Sequence, residues 1–353
     1  MTSATPVVLI VIGDPDLAAA IDRVAAAVGA RAARAQSPGR RGWLSAAAIV
    51  VDEPGALRCG ATGLPRRDGV ILVGADEPSA DSWAAAIDIG AQHVCVLPTH
   101  EADLVRHLAG LTEAAPPAGR GGPVLAVASG RGGGGSSVFC AALADRAGEA
   151  LLVDLDPFGG GIDLLLGEES TPGLRWPELQ VHSGRLSWAA LREVLPRRNG
   201  LSVLSGTRSC HDIDAASVAP IVDAGRRGGA TVVCDIPRQL TPAALCALEF
   251  ADLVVVVTSC DVRAIAATTA TLGALRTVNP AIGLVVRGPS PGGLAAREVA
   301  EAAAAPLLAA MRPEPMLAQR LERRGLRLRP HSPLARAAGT VLDVVRGNMV
   351  RAA

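Results

Sequence analysis

The chain has 353 residues, of which 49% are hydrophobic and only 2% are aromatic. Its 34 basic and 34 acidic side chains cancel, which disfavours both a strongly basic nucleic-acid binder and an acidic tail protein. The sequence contains no lysine, so any mechanism that needs a lysine from this chain is excluded. A chain of this length predicts two domains, since one domain takes about 100–200 residues.

The seven cysteines are scattered, form no C-x-x-C pair and mostly lie in apolar runs, which is typical of buried thiols in a reducing compartment. The start, MTSATPVVLIVIGDPD, carries no basic stretch, and its short apolar run predicts a strand rather than a signal peptide. No uncharged apolar run reaches the roughly 18 residues that suggest a membrane span. We therefore expect a cytoplasmic protein.

The first part of the chain alternates short apolar runs with alanine-rich amphipathic stretches. The runs predict strands at 7–12, 47–52, 70–74 and 93–97, with a weaker one at 31–35. The amphipathic stretches predict helices at about 16–28, 80–90 and 100–111. Apolar strands separated by helices indicate a parallel sheet covered on both faces, and the five-strand rhythm is that of a flavodoxin-like domain over residues 1–113.

A stretch rich in proline and glycine, residues 114–122, predicts a linker, after which the same alternation recurs over residues 123–353. Strands are predicted at 124–129, 150–156, 201–206, 231–237, 252–259 and 282–288. Helices are predicted at about 136–147, 187–195, 214–227, 241–249, 262–277, 293–304 and 333–346. The pattern indicates a second doubly wound parallel sheet, so the fold class is α/β in both domains.

The segment VLAVASGRGGGGSSVF, residues 124–139, joins a predicted strand to a predicted helix through a glycine-rich turn. Glycines let consecutive backbone N–H groups point inward, and the start of the helix adds partial positive charge. A flexible turn is the usual explanation for a run of glycines, but the strand–loop–helix context favours a phosphate cradle. We therefore predict a phosphate site at residues 130–137.

Acidic side chains stand at the ends of three predicted strands of the second domain. Asp154 and Asp156 end LLVDLD, and Asp235 ends VVCD. Asp261 follows VVVVTSC. Ligands of an open α/β sheet bind at the carboxyl ends of the strands, where a carboxylate can hold Mg²⁺ directly or through water. A single strand-end aspartate is usually a helix cap, but three such ends beside a glycine loop indicate a magnesium and phosphate site.

In their order along the chain, these motifs resemble those of the ParA/MinD superfamily of deviant-Walker P-loop ATPases. The family motif K-G-G-x-G-K-[ST] is matched by residues 131–137, which read R-G-G-G-G-S-S. LLVDLDPFGG resembles the D-x-D switch I region, VVCDIP the D-x-P switch II strand, and ADLVVVVTSCDVRAI the later A-D-x-V-x-x-V-T strand. Residues 123–353 carry the resemblance, which is strongest to the CpaE/TadZ-like branch and to the group called septum site-determining protein (Ssd).

The resemblance implies that the loop binds ATP or ADP. Arg131 takes the place of the signature lysine, which in the family reaches across a dimer to the partner's phosphates, and it is therefore a candidate catalytic residue. Arg287 falls where the family often has an asparagine near the adenine. The implied nucleotide-binding residues are Gly130, Arg131, Gly132, Gly133, Gly134, Gly135, Ser136, Ser137 and Arg287.

The same resemblance gives the acidic residues their roles. Asp156 matches the family's water-orienting switch I aspartate and is the second candidate catalytic residue, with Asp154 beside it. Ser137 takes the place of the Mg²⁺-binding serine or threonine, and Asp235 matches the Mg²⁺-linked switch II aspartate. The implied magnesium residues are Ser137, Asp154 and Asp235.

Ser136 departs from the family, because it stands where a lysine bridges the β- and γ-phosphates. A charged hydrogen bond is worth roughly 1.5–3 kcal/mol, so its loss weakens binding by about one to two powers of ten. Hydrolysis suffers more, because one donor aimed at developing negative charge is worth about 10²–10³ in rate. We expect weak binding of nucleotide and Mg²⁺ with slow or absent hydrolysis. The alternative is a loop that no longer binds nucleotide and only supports packing.

The first domain resembles a degenerate response-regulator receiver, as found ahead of the ATPase part in CpaE/TadZ relatives. Asp14 and Asp16 follow the first strand, as an acidic pair does in receivers, and Asp52 ends a strand where the phosphoacceptor would lie. Receivers also need a lysine before a proline after the last strand, and here Leu97 precedes Pro98. We expect Asp52 to be a vestigial phosphoacceptor in a pseudo-receiver used for docking or dimerisation.

By resemblance, the chain is expected to be a homodimeric spatial regulator of cell division that determines the septum site. The alternative is a CpaE/TadZ-like factor that localises assembly of a Flp/Tad pilus or a secretion system at the cell pole, as a nucleotide-independent scaffold. The implied partners are cell-division or polar-assembly proteins rather than DNA. The implied position is cytoplasmic or peripheral at the inner membrane, the septum or a pole.

The last predicted helix, 333–346, has two interpretations. Some MinD relatives carry a C-terminal helix that targets a membrane. Here the apolar side of the helix lacks phenylalanine and tryptophan, and few basic anchors flank it. We therefore expect this helix to pack in the core of the second domain.

Overall fold

The structure is a computed structural model that describes residues 5–62, 64, 66–114, 121–179, 186–290 and 292–352. These residues form two units, residues 5–114 and residues 121–352. Of the predicted linker, residues 115–120 lie outside the described residues. Within the described ranges, none of the helices has the length and hydropathy that a membrane span requires.

The first unit alternates strands and helices along its whole length. Its elements are β1 (Val7–Val11), α1 (Pro15–Ala27), β2 (Arg31–Arg34), α2 (Arg40–Ser45), β3 (Ala48–Val51), α3 (Glu53–Ala61), β4 (Val70–Gly74), α4 (Ala80–Ile89), β5 (Ala91–Val96) and α5 (Glu101–Ala114). The strands are parallel and lie in the order β2-β1-β3-β4-β5. This is the sheet that the apolar runs predict.

Both faces of this first sheet are covered, because alternate residues of a strand point to opposite sides. Val8 and Ile10 of β1 pack with residues of α1 and α5. Leu9 and Val11 pack with residues of α2, α3 and α4. The two resulting apolar cores explain why the central strands contain no polar side chain.

The second unit holds the larger sheet. Its strands are β6 (Val124–Ser129), β7 (Ala150–Asp154), β8 (Arg197–Arg198), β9 (Leu201–Leu204), β10 (Thr231–Asp235), β11 (Leu253–Ser259), β12 (Ile282–Arg287) and β13 (Leu307–Met311). Its helices are α6 (Ser136–Ala147), α7 (Ile162–Leu166), α8 (Trp188–Val194), α9 (Ala215–Arg227), α10 (Pro242–Phe250), α11 (Val262–Arg276), α12 (Ala296–Ala302), α13 (Leu317–Arg324) and α14 (Pro333–Ala352). The strand order is β13-β12-β11-β6-β10-β7-β9-β8.

The strand order places β6 in the middle of the sheet, between β11 and β10. All three strands run in the same direction, so the loop after β6 emerges between the carboxyl ends of its neighbours. The register puts Asp235 of β10 opposite both Val127 of β6 and Asp154 of β7. The predicted loop and two of the predicted acidic strand ends are thereby brought to one edge of the sheet.

The helix α14 packs against α6 and β13. Six of its buried residues belong to the same apolar core as the strands, namely Leu334, Ala337, Ala338, Val341, Leu342 and Val345. The expectation that this helix packs in the core is confirmed. These apolar side chains are covered by the protein.

One edge of the second sheet differs from the rest. β8 pairs antiparallel with β9 through the turn Asn199–Gly200, where φ is +48° and +86°. Two successive residues with positive φ suit a tight hairpin, and Asn-Gly is its strongest sequence signal. Every other strand pair among the described residues is parallel, as predicted.

The sequence analysis does not predict six short elements, namely α2, α3, α7, β8, β13 and α13. The helix α3 contains Gly55 and Gly60, which lower helix propensity. The strand β13 is largely exposed or half-buried and contains two alanines, so it lacks the apolar run of a central strand. The helix α13 is amphipathic but short and largely polar or charged, and it has no fully buried residue.

Candidate functional site

The loop after β6 is a tight turn that only glycine can form at several points. The Gly130 N–H donates to the Val257 carbonyl oxygen at 2.9 Å, and the Gly134 N–H donates to the Arg131 carbonyl oxygen at 3.1 Å. A Cβ atom at Gly130 would lie 2.3 Å from Thr268 Oγ1. The loop is therefore hydrogen-bonded to β11 and lies close against α11, and its shape depends on the absence of side chains.

The outer part of the loop faces solvent. Gly132 and Gly133 are exposed, and φ at Gly133 is +72°. Gly135, with φ at +91°, precedes α6 and supplies no side-chain cap to the first turn of that helix. The first backbone N–H groups of a helix have no partner within it, so this turn offers donors to an anion.

Asp235 lies at the end of β10, next to the start of α6. Its side chain is 5% exposed and receives hydrogen bonds from Ser137 and from Cys140 Sγ, the latter at 3.4 Å. Burial raises the pKa of Asp235 to about 7. The hydrogen bond from Ser137 lowers this pKa, and the negative charge of Asp154 raises it further. A buried carboxylate of this kind is stabilised by a cation beside it.

Asp154 lies beside Asp235 on the neighbouring strand and is 3% exposed. Its carboxylate accepts the N–H of Asp156 at 3.1 Å and the N–H of Ile162 at 2.8 Å. Burial raises the pKa of Asp154 to about 6, although these two backbone hydrogen bonds lower it. Both carboxylate oxygens therefore hold the following segment, 156–162, in place.

Asp156 is half-buried at the start of that segment. One of its carboxylate oxygens accepts the Phe158 N–H at 3.0 Å, which makes a local turn. Phe158 itself is 77% exposed. The structure thus places Asp156 two residues beyond Asp154, with its carboxylate engaged inside its own turn.

A cluster of charged residues around Asp163, which the sequence analysis missed, lies at the C-terminal end of segment 156–162. Asp163 is 1% exposed and accepts from Arg175 Nε at 3.0 Å, from Arg208 Nη1 at 2.9 Å and from Ser205 Oγ at 3.1 Å. Burial raises the pKa of Asp163, but the hydrogen bonds and charges of the two arginines outweigh it and hold the pKa below its ordinary value. Arg208 also donates to the Gly160 carbonyl oxygen at 2.9 Å.

Three arginines lie around the loop, and each has a different environment. Arg131 forms an ion pair with Asp261 at 3.0 Å, and Asp261 also caps α11 by accepting the Ala264 N–H. Arg287 Nη2 donates to the Gly133 carbonyl oxygen at 3.4 Å. Arg238 Nη1 lies 3.3 Å from the point where a Cβ of Gly132 would stand. Arg238 was missed, and its only signal is its place directly after the D-x-P motif.

The predicted site residues thus meet at one edge of the second sheet, with one qualification. Gly130 to Ser137, Asp154, Asp235 and Arg287 lie at the carboxyl ends of β6, β7, β10 and β12. Asp261, at the third acidic strand end, is a helix cap and the ion-pair partner of Arg131.

Asp52 lies at the end of β3 in the first unit and is 6% exposed. One carboxylate oxygen accepts the Gly13 N–H at 2.6 Å and the other accepts the Gly55 N–H at 2.7 Å. Asp14 caps α1 by accepting the N–H groups of Asp16 and Leu17. Asp52 and Asp14 also line a cavity of about 280 Å³. Backbone donors therefore already satisfy the predicted vestigial phosphoacceptor.

Comparison with known proteins finds relatives for each part of the chain. A family model described as "Rv3660c-like, CheY-like N-terminal domain" matches residues 11–119. The uncharacterized protein Rv3660c of Mycobacterium tuberculosis (strain ATCC 25618 / H37Rv) is 55% identical over 335 residues, which cover 94% of this chain and 96% of that protein. The uncharacterized protein MT3760 of Mycobacterium tuberculosis (strain CDC 1551 / Oshkosh) matches to the same extent.

Solved structures resemble about two-thirds of the chain. A ParA family ATPase from Chlorobium tepidum TLS has a TM-score of 0.51 and is 17% identical, covering 63% of this chain and 98% of its own. The MinD cell division protein of Aquifex aeolicus has a TM-score of 0.50 and is 20% identical, covering 65% of this chain and 97% of its own. At these identities the likeness concerns the fold. The expected α/β class, with a CheY-like N-terminal domain and a ParA/MinD-like P-loop fold, is confirmed.

Proposed function

The chain belongs to the family of the uncharacterized protein Rv3660c, and from this premise we propose that it is a spatial regulator of cell division that determines the septum site. Residues 123–353 form the MinD/ParA-like domain, residues 1–113 the pseudo-receiver, and residues 114–122 the linker. The observation that carries the proposal is the meeting of the loop 130–137 with Asp235 at the central edge of the second sheet. The MinD cell division protein of Aquifex aeolicus has this fold.

We propose that this site holds ATP or ADP with Mg²⁺. The glycine loop and the first turn of α6 offer backbone donors to phosphate. Ser137 and Asp235 would hold Mg²⁺, with Asp154 beside them, and Mg²⁺ supplies charge neutralisation to the phosphates when bound. The raised pKa of Asp235 fits this role, because a divalent cation would offset the cost of burying that carboxylate.

We infer that hydrolysis is slow or absent. Ser136 provides no cation where the family has its loop lysine. Arg131 is paired with Asp261, and the Asp156 carboxylate accepts the Phe158 N–H. Each candidate catalytic side chain is thus engaged within its own subunit, so reaching a phosphate or a water would cost an existing interaction.

Replacing Ser137 by alanine is the sharpest test of the nucleotide site. Ser137→Ala removes the hydroxyl that contacts Asp235, and we expect about a 10-fold loss of affinity for a fluorescent ATP analogue in the presence of Mg²⁺. In EDTA the variant and the unchanged protein should bind alike, since the hydroxyl acts through the metal. Equilibrium titration up to millimolar nucleotide measures both.

Ser217→Ala is the matched control for that titration. Ser217 lies in the first turn of α9 and its hydroxyl lies 3.5 Å from Asp214 Oδ2, so this substitution also removes a serine hydroxyl beside a carboxylate at a helix start. Its affinity should equal that of the unchanged protein. Absence of saturable binding by the unchanged protein with Mg²⁺ would contradict the nucleotide site.

The second candidate function is a CpaE/TadZ-like scaffold that localises polar assembly of a pilus or secretion system without nucleotide. The ion pair between Arg131 and Asp261 favours it, because the candidate signature residue is held by its own chain. Light scattering after size-exclusion chromatography separates the two functions. A dimer that forms only with ATP and Mg²⁺ supports the switch, whereas a dimer of equal stability without nucleotide supports the scaffold.

The proposed partners are a second copy of this chain and cell-division or polar-assembly proteins. We propose that the pseudo-receiver provides a docking surface, since its Asp52 carboxylate already accepts two backbone N–H groups. The protein would act in the cytoplasm or peripherally at the inner membrane, septum or pole. The apolar side of α14 packs in the core, so membrane association would use another surface.

A further inference from the structure

Arg238 stands beside the loop, and no acidic side chain among the described residues pairs with it. It follows β10 by three residues and is exposed, and its Nη1 atom lies 3.3 Å from the Cβ position of Gly132. Among the residues that the structure describes, Arg238 makes no hydrogen bond and no ion pair. A side chain at position 132 would therefore meet a guanidinium group that is otherwise surrounded by solvent.

Arg287 approaches the loop from the opposite side. It ends β12, whereas Arg238 follows β10, and the two strands flank β6 and its neighbour β11. Arg287 Nη1 lies 3.3 Å from the Cβ position of Gly135, and its Nη2 donates to the Gly133 carbonyl oxygen at 3.4 Å. Within the described part of the chain, this carbonyl is the only hydrogen-bond partner of the Arg287 side chain.

These two cations lie beside a helix start that carries partial positive charge. The N-terminus of α6 carries the positive end of the helix dipole, so cations beside it are repelled unless an anion is present. Arg131 is also near, but Asp261 neutralises it. Among the described residues, Arg238 and Arg287 form no ion pair, so both guanidinium groups are available to an anion bound at the loop.

We propose that Arg238 and Arg287 are phosphate-binding cations of this site and supply part of the binding charge that a lysine at position 136 would add. The inference rests on the proposed function, since it concerns the same nucleotide. The ligand is a nucleoside polyphosphate, and its affinity should rise with the number of its phosphate groups. Two guanidinium groups also bind phosphate oxygens with more hydrogen bonds than one ammonium group offers.

The test compares Arg238→Gln, Arg287→Gln and the double variant in the full chain, with ATP, ADP and AMP as calorimetric titrants in Mg²⁺. We expect each single variant to weaken ATP binding by about 10-fold and the double variant by about 100-fold. AMP binding should change by less than about 2-fold, because it lacks the outer phosphates. The unchanged protein should bind ATP more tightly than ADP, and ADP more tightly than AMP.

Arg276→Gln is the control, because Arg276 is an exposed arginine at the other end of α11, where it donates to the Ala304 carbonyl. It should leave all three affinities unchanged. If the unchanged protein binds ATP and the Arg238 or Arg287 variants bind it equally well, the inference fails while the nucleotide site stands. If an arginine variant loses affinity for ATP and for AMP by the same factor, that arginine contacts the nucleoside, and its role in binding the outer phosphates is overturned. If the unchanged protein binds no nucleotide, both proposals fall.

Discussion

Replacing Ser136 with lysine is expected to raise the affinity for ATP and Mg²⁺ by about 10- to 100-fold and the rate of ATP hydrolysis by about 10²–10³. Ser136 is the first residue of α6 and directly follows the glycine loop, so a longer side chain there starts at the centre of the cradle. The rate of hydrolysis should increase by a larger factor than the affinity, because a fixed cation contributes most where negative charge develops in the transition state. Nucleotide titration and phosphate-release assays measure the two effects.

The same substitution has a cost when no nucleotide is present. A lysine at position 136 adds a positive charge to the helix start that Arg238 and Arg287 already approach. Repulsion from the helix dipole is worth about 0.3–1 kcal/mol for each such charge. We therefore expect Ser136→Lys to unfold at a lower temperature than the unchanged protein without ATP, and to recover with ATP.

Ser136→Gln is the control, since glutamine adds bulk and hydrogen-bonding capacity without charge. It should leave the hydrolysis rate at the level of the unchanged protein. If Ser136→Lys binds ATP no better than Ser136→Gln, the loop no longer presents a phosphate cradle at that position. The scaffold function would then be favoured over the nucleotide switch.

The loop and the acidic strand ends could be predicted from sequence because each is a local pattern. The strand 124–129 and the helix 136–147 have the bounds that the sequence predicts, since the glycines separate an apolar run from an amphipathic one. Asp154 and Asp235 follow apolar strands, and parallel strands bring such ends together. Strand polarity alone therefore places them at one edge.

The roles of the arginines could not be predicted in the same way, because they depend on which strands are neighbours. Arg238 meets the loop only because β10 lies next to β6, more than a hundred residues away in the chain. The pair of Arg131 and Asp261 spans 130 positions and turns a predicted strand-end ligand into a charge partner. Nothing in the local spacing of either residue indicates these contacts.

Replacing Asp235 with asparagine is expected to stabilise the chain in Mg²⁺-free buffer at pH 8, by on the order of 3 kcal/mol in the free energy of unfolding. The pKa of Asp235 is about 7 in the folded protein, mainly through burial, and an unfolded aspartate titrates near its ordinary value of about 3.9. Ionisation of this side chain therefore opposes folding. The protonated carboxyl group therefore contributes to the free energy of unfolding. This contribution is fully present below the unfolded pKa and is lost as the pH rises through about 7.

The pH dependence separates this effect from ordinary repacking. Urea unfolding of the full chain should show a gain for Asp235→Asn that is largest at pH 8 and shrinks towards zero near pH 4, where the unchanged carboxyl group is protonated in the folded state. Adding Mg²⁺ at pH 8 should stabilise the unchanged protein and have little effect on the variant. A gain that stays constant from pH 4 to pH 8 would mean that the carboxylate is not the cause.

Asp163→Asn is the matched control and should lower the free energy of unfolding at neutral pH, whereas Asp235→Asn raises it. Asp163 is equally buried, but Arg175 and Arg208 hold its pKa below the ordinary value, so its ionised form supports folding at neutral pH. Removing that charge breaks the buried pair with Arg175, which is 12% exposed, and such a loss costs about 3–5 kcal/mol. Two buried aspartates of one sheet edge thus differ in a predictable way. Asp163 has its cations built into the chain, and the cation that would relieve Asp235 has to come from outside it.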